Sequence, residues 1–264
     1  MFFKNSTVWI IGASSGIGRA LAIDMAKLQA DLVISSRDVV ELEKVREICL
    51  QYTEHCSIVM LDLVENTDFN PQVNEVIQLY DSIDYLILSG GISQRSFASE
   101  TPISIDRRIM EVNYFGNVSL TKAVLPYMIE QKSGHVVVIS SIVGKFGFPL
   151  RSAYSASKHA LHGFYETLRA EQKQNNINIT IAIPGRVQTN ISYNAVQKDG
   201  SQYKQLDDGQ AQGISVESCS KQIIKSIKKN KKEALIGGKE IWMVWIRKFL
   251  PFLFYSFANK IQPK

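Results

Sequence analysis

Short apolar runs rich in Val, Ile and Leu recur along the chain, bounded by Gly, Asp or Ser. Longer stretches with a helical repeat of apolar positions separate them. Runs of the first kind mark buried strands, and stretches of the second kind mark amphipathic helices. Strands are expected at Thr7–Ile11, Asp31–Ser35, Ser57–Leu61, 83–91 ("IDYLILSGG"), 135–140 ("HVVVIS") and 177–185 ("INITIAIPG"). The intervening spacing predicts helices from about Gly16 to Gln29, Asp38 to Tyr52, Pro71 to Tyr80, Ile103 to Glu130 and Tyr154 to Gln174. Strict βα alternation predicts an α/β fold with one parallel sheet covered on both faces. Right-handed crossovers then make it doubly wound, and ligands of such sheets bind at the carboxyl ends of the strands.

After the sixth strand the pattern weakens. Residues 190–215 are polar and poorly periodic, as expected of a mobile substrate lid or a plain surface loop. "KQIIKSIKKNKK" (221–232) predicts a helix with Ile223, Ile224 and Ile227 facing inward, and "EALIG" a short last strand. We therefore divide the chain into a Rossmann-type domain at 1–238 and a hydrophobic, basic tail at 239–264. Within the tail, "IWMVWIRKFLPFLFYSF" (241–257) is shorter than the ~20 residues a membrane span needs. Arg247, Lys248 and Pro251 also interrupt it. Two readings stay open: packing on the subunit or a dimer partner, or peripheral attachment to an anionic membrane.

Composition changes this picture in three places. Of 264 residues, 45% are hydrophobic and 21% charged, which supports a large core and excludes general disorder. The net charge of +5 is uneven: residues 221–264 hold eleven Lys and Arg against two Glu. Basicity is thus a property of the tail rather than a nucleic-acid-binding face. Cys49, Cys56 and Cys219 make an odd number with no C-x-x-C pair, which suits a reducing, cytoplasmic compartment. His159 and His162 are expected on a helix surface with no third metal ligand nearby, and the N-terminus shows no signal-peptide cleavage site.

Candidate chemistry lies at the strand-to-helix junctions. "IGASSGIGRA" places Gly12, Gly16 and Gly18 after the first strand and at the opening of the first helix. Glycines permit a tight turn and close backbone approach to a pyrophosphate, and the helix N-terminus adds free N–H groups. A dinucleotide site follows from that placement. The second strand ends "ISSRD", with Ser36 and Arg37 where an NAD site usually puts an acid. Arg37 suits a 2′-phosphate, so NADP(H) is expected over NAD(H). Asp62, at the end of the third strand, either meets the adenine or caps the next turn.

These motifs together resemble the short-chain dehydrogenase/reductase family over nearly all of residues 7–190. They are "GASSGIG" at 12–18, "DL" at 62–63, "SGG" at 89–91, Asn113 in "VNYFG", "ISS" at 139–141, "YSASK" at 154–158 and "PGRVQT" at 184–189. Three places depart from the family: Ile11 replaces a usual threonine, Ser89 replaces an asparagine, and the tail matches no general motif. "GGISQRS" and the stretch leading into "YSASK" look most like membrane-associated members acting on steroids, retinoids and other lipophilic carbonyls.

The resemblance implies catalytic roles for Asn113, Ser141, Tyr154 and Lys158. Tyr154 would exchange a proton with the substrate oxygen, and Lys158 would favour the phenolate and bond the nicotinamide ribose. Ser141 would hold the oxygen, and Asn113 would bind a water linking Lys158 to solvent. Cofactor contacts are expected from Gly12, Ser14, Ser15, Gly16, Ile17, Gly18, Arg37, Asp62, Leu63, Ser89, Gly90, Asn113, Tyr154 and Lys158. On the far side Pro184, Gly185, Val187 and Thr189 complete them, with Val187 and Thr189 bonding the carboxamide. The implied activity is NADP(H)-dependent carbonyl reduction or alcohol oxidation by a homodimer or homotetramer. Reduction of 3-oxoacyl thioesters is the alternative within enzymes, and a non-catalytic nucleotide sensor the alternative outside them.

Overall fold

The computed structural model describes residues 2–66, 68–205 and 207–258. Seven parallel strands form one sheet in the order β3-β2-β1-β4-β5-β6-β7. They are β1 (Thr7–Ile11), β2 (Asp31–Ser35), β3 (Cys56–Ile58), β4 (Tyr85–Leu88), β5 (Gly134–Ile139), β6 (Ile177–Pro184) and β7 (Glu233–Ile236). Because side chains alternate along a strand, the sheet feeds two cores. Trp9, Leu86, Val136 and Ile181 point into one, and Val8, Ile10, Ile87 and Val137 into the other. The helices named so far by position are α1 (Gly16–Lys27), α2 (Val39–Cys49), α3 (Asn70–Tyr80), α4 (Ile103–Met110), α5 (Gly116–Gln131) and α6 (Ser152–Glu171). After them come α7 (Asp208–Ala211), α8 (Val216–Lys228), α9 (Trp242–Phe249) and α10 (Pro251–Ala258). Strand order reverses between β1 and β4, and their carboxyl ends open the crevice where this architecture binds ligands.

Several element ends differ from the pattern reading, β4 for one spanning Tyr85–Leu88 rather than 83–91, and two differences have a visible cause. The third strand spans Cys56–Ile58 rather than 57–61, because it is an edge strand paired only with Leu32–Ile34 of β2. The expected continuous helix from 103 to 130 is broken by a π-helical turn at Glu111–Phe115. Three contacts explain the break. The Asn113 amide is drawn to the main chain of Ile92, accepting from its N–H at 2.8 Å and donating to its carbonyl at 2.9 Å. Gly116 lies against Leu63, where a Cβ would come within 2.3 Å of the Leu63 carbonyl oxygen. Asn117 then donates its side-chain amide to the carbonyls of Val112 and Asn113, adding bonds across the widened turn.

The segment expected as a lid or surface loop is tied down at several points. Isolated β-bridges join Gln94 to Val196, Val187 to Ile214 and Val196 to Gln202. The tail forms two short helices broken at Pro251. Met243, Val244 and Ile246 pack on the core, and the Phe254 ring lies 5.1 Å from that of Phe146. Trp242, Phe249 and Phe252 stay exposed, Phe252 at 84%. Among the described residues no helix is long and apolar enough to cross a membrane.

Candidate active site

A cleft of about 1550 Å³ runs across the carboxyl ends of the strands. Its floor is the turn after β1. Gly12 adopts φ +78°, and a Cβ there would sit 2.7 Å from the Gly90 nitrogen. A Cβ on Gly18 would lie 2.2 Å from the Gly12 carbonyl oxygen, so the first turn of α1 presses on the turn before it. Ser15 gives α1 no side-chain cap, and the first helical bond runs from the Arg19 N–H to the Ser15 carbonyl. The N–H groups of Gly16, Ile17 and Gly18 precede that bond and are free for an anion. These observations fit a dinucleotide's pyrophosphate.

At one end of the cleft the Arg37 side chain is 66% exposed, with Nη1 3.7 Å from Asp62 Oδ2. Asp62 Oδ1 accepts from the Val64 N–H, so it caps its turn while still lining the cleft. Asp38 caps α2 by accepting from the Glu41 N–H. Of the residues expected in the site, all line the cleft except Gly18, which lies under Gly12, and Asn113. Asn113 is wholly buried behind Gly91 and also donates to the Ser157 hydroxyl at 3.0 Å.

Ser141, Tyr154 and Lys158 share the cleft's central wall. Lys158 Nζ donates to the Ile139 carbonyl at 2.9 Å and lies 5.7 Å from the Tyr154 ring centroid. Burial lowers the Lys158 pKa to about 8, because desolvation disfavours the ammonium. Burial raises the Tyr154 pKa, and Arg151, the Ser141 hydroxyl and Arg95 oppose the rise. The sequence pattern pointed to Lys158 as the charge acting on this phenol. The two arginines were missed.

Other groups escaped the sequence reading as well. Gln94 is fully buried, and its Oε1 accepts from the N–H groups of Ala153 and Tyr154 at 2.8 and 3.4 Å. It caps α6 from outside and so fixes where Tyr154 emerges. Arg95 and Arg151 both pair with Asp207, in the connection between β6 and α8. Glu240 accepts from the N–H groups of Arg186 and Gly238, closing the loop after β6. A Gln inside "GGISQRS" and an Arg three residues before Tyr154 were the available signals, but their partners are distant in sequence. His162, expected on the surface, is buried: Nε2 lies 3.0 Å from the Ser140 hydroxyl, and Nδ1 faces Glu233 at 3.3 Å. Glu166 completes a three-residue cluster there, and the ammonium of Lys145 also pairs with Glu233.

The family model for short chain dehydrogenases matches residues 6–200. The chain belongs to the short chain dehydrogenase family. Members of this family are oxidoreductases. The chain is 42% identical over 259 residues to the mouse (Mus musculus) protein named dehydrogenase/reductase SDR family member 7B, covering 96% of this chain and 80% of that one. It is 39% identical over 267 residues to an SDR family protein 7-like from Anopheles gambiae, covering 99% and 84%. Among solved structures, a short-chain dehydrogenase from Streptomyces avermitilis has TM-score 0.80 at 24% identity, with 96% of both chains covered. A short chain dehydrogenase/reductase from Burkholderia phymatum, solved in complex with NAD, has TM-score 0.84 at 19% identity over 100% and 99%. At those identities the two structures establish the fold alone.

Proposed function

We propose that this short chain dehydrogenase is NADP(H)-dependent and reduces a carbonyl, or oxidises an alcohol, on a lipophilic substrate. The observation that carries the reading is the common wall of Ser141, Tyr154 and Lys158 facing a glycine cradle across one cleft. The bound cofactor would supply or accept the hydride. Tyr154 passes its phenolic proton to the substrate oxygen in reduction and takes it back in oxidation. Ser141 holds that oxygen and steadies its developing negative charge. Lys158 bonds the nicotinamide ribose and presents its ammonium to the phenol, and the Val187 backbone and Thr189 hydroxyl orient the carboxamide. Asn113, tied to Ile92 and Ser157, keeps the wall behind Lys158 rigid, and a water bound beside it would link Lys158 to solvent.

Cofactor choice rests on the end of β2. Ser35 and Ser36 stand there without an acid, and Arg37 lines the rim. NADPH consumption measured against sterols, retinoids and acyl thioesters tests the whole reading. Arg37→Asp is expected to weaken NADPH relative to NADH by about 10- to 100-fold in KM, the scale of one charged hydrogen bond. A lower KM for NADH in the unaltered protein would overturn the NADP(H) reading. Turnover of acyl thioesters alone would favour the 3-oxoacyl alternative, and binding without consumption a sensor.

The lipophilic reading draws on Ile142, Val143, Phe146, Phe148 and Met243 along the substrate side of the cleft. Phe146 touches Phe254 of α10, so the same end of the cleft continues into the exposed aromatic face of α9 and α10. Arg247 and Lys248 stand among those aromatics, with Lys248 Nζ 5.4 Å from the Phe249 ring centroid. Aromatic rings beside cations suit the interface of an anionic bilayer. Replacing Trp242, Trp245, Phe249 and Phe252 with Ser is expected to lower binding to phosphatidylserine vesicles at least tenfold in co-sedimentation. Equal pelleting would defeat membrane contact.

A further inference from the structure

The lid places a side-chain amide at the position proposed for the cofactor's own amide. Gln210, in α7, donates through Nε2 to the Val187 carbonyl at 2.7 Å and to the Thr189 hydroxyl at 3.1 Å. A glutamine and a nicotinamide end in the same primary carboxamide, with the same two N–H donors. The Thr189 methyl stands across from the glycine turn, 3.3 Å from where a Cβ on Gly16 would be. Gln210 lines the cleft on the same side as Thr189.

Neighbouring contacts hold the lid in this place. The carboxylate of Asp207 receives Arg95 and Arg151, the latter at 2.7 Å. Gln188 donates to the Ala211 carbonyl at 3.0 Å. Gly209 and Gly213 let the lid lie flat on the loop after β6. A Cβ at Gly209 would meet the Arg186 guanidinium at 2.9 Å, and one at Gly213 the Arg186 carbonyl at 2.4 Å. The lid is thus latched at Asp207 and plugged at Gln210.

We propose that Gln210 is a built-in competitor of the cofactor, occupying the Val187 and Thr189 atoms that the nicotinamide carboxamide needs, so that the lid must lift before the cofactor seats fully. The proposal rests on the reading that Val187 and Thr189 hold that carboxamide. Gln210 then sets affinity without taking part in the chemistry. The fraction of protein with the lid raised multiplies the intrinsic affinity, and removing the plug raises that fraction. Asp207, three positions before Gln210, sets the same equilibrium through its arginine pair.

The test is equilibrium binding, by fluorescence titration, of NADPH and of adenosine 2′,5′-bisphosphate, which lacks the nicotinamide half. Gln210→Ala is expected to tighten NADPH about three- to tenfold and to leave the bisphosphate within about twofold, the scale of one or two neutral hydrogen bonds. Asp207→Asn, which loosens the latch, is expected to move NADPH in the same direction. Thr189→Ala is expected to weaken NADPH and spare the bisphosphate. If Thr189→Ala behaves so but Gln210→Ala leaves NADPH unchanged or weaker, the competitor is overturned while the carboxamide site stands. If Gln210→Ala tightens both ligands equally, the plug is not at the carboxamide position, and the proposal fails. If Thr189→Ala has no effect on NADPH, the carboxamide reading falls, and the competitor falls with it.

Discussion

Tyr154→Phe should lower turnover by about 10³-fold or more while the NADPH dissociation constant stays within about twofold. The substitution removes one oxygen and keeps the ring, which belongs to the core below the cleft. Folding and the cradle at Gly12–Gly18 are therefore untouched, and only the proton path is lost. The direction of reaction also enters. Burial raises the Tyr154 pKa, so the phenol of the free protein stays protonated at neutral pH. A protonated phenol is the form that reduction consumes. Reduction should accordingly be supported throughout the neutral range, and oxidation should rise with pH as the phenolate forms. Pre-steady-state NADPH oxidation together with fluorescence binding separates the two quantities. Retained turnover would remove Tyr154 from its role. Lost binding would show that the hydroxyl holds cofactor rather than proton.

The order of strands and helices could be read from the chain because it depends on local periodicity, and the sheet is buried on both faces. β1 and β2 were legible to the residue, since every position from Val8 to Ile11 and from Leu32 to Ser35 is buried. β3 was not, because its length depends on its single neighbour, β2. The break at Glu111–Phe115 was illegible for a related reason: Asn113 leaves the helical pattern to bond Ile92, 21 positions away. The glycine turn and the Tyr154–Lys158 spacing could be seen because both are local. Gln94, Arg95, Arg151 and Asp207 could not, since Gln94 acts across 60 positions and Arg95 across 112. The site is thus a local motif seated in a non-local electrostatic frame, and only the motif leaves a mark on the sequence.

Lys158→Met should abolish most turnover, by about 10²-fold, and should change how stability depends on pH. The ammonium is almost wholly buried, and its pKa falls from 10.5 to about 8. Unfolded chain binds the Lys158 proton up to about pH 10.5, whereas folded protein releases it near 8. Between those values the unfolded state holds more protons, so stability rises with pH. Below about pH 8 the full cost of the buried ammonium is present, roughly 3 kcal/mol at 1.36 kcal/mol per unit. By about pH 10.5 that cost is gone. Methionine carries no proton and lacks this dependence. Its own penalty, the Ile139 carbonyl left without the 2.9 Å bond from Nζ, is constant with pH. The parent should therefore gain roughly 3 kcal/mol on Lys158→Met as the pH rises from about 7 to about 10.5, read from urea midpoints at each pH. The strain at neutral pH is the cost that the role proposed for Lys158 would carry, a stability–activity trade-off located at one side chain. A difference between parent and variant that stays flat across this range would mean that Lys158 keeps its ordinary affinity for the proton.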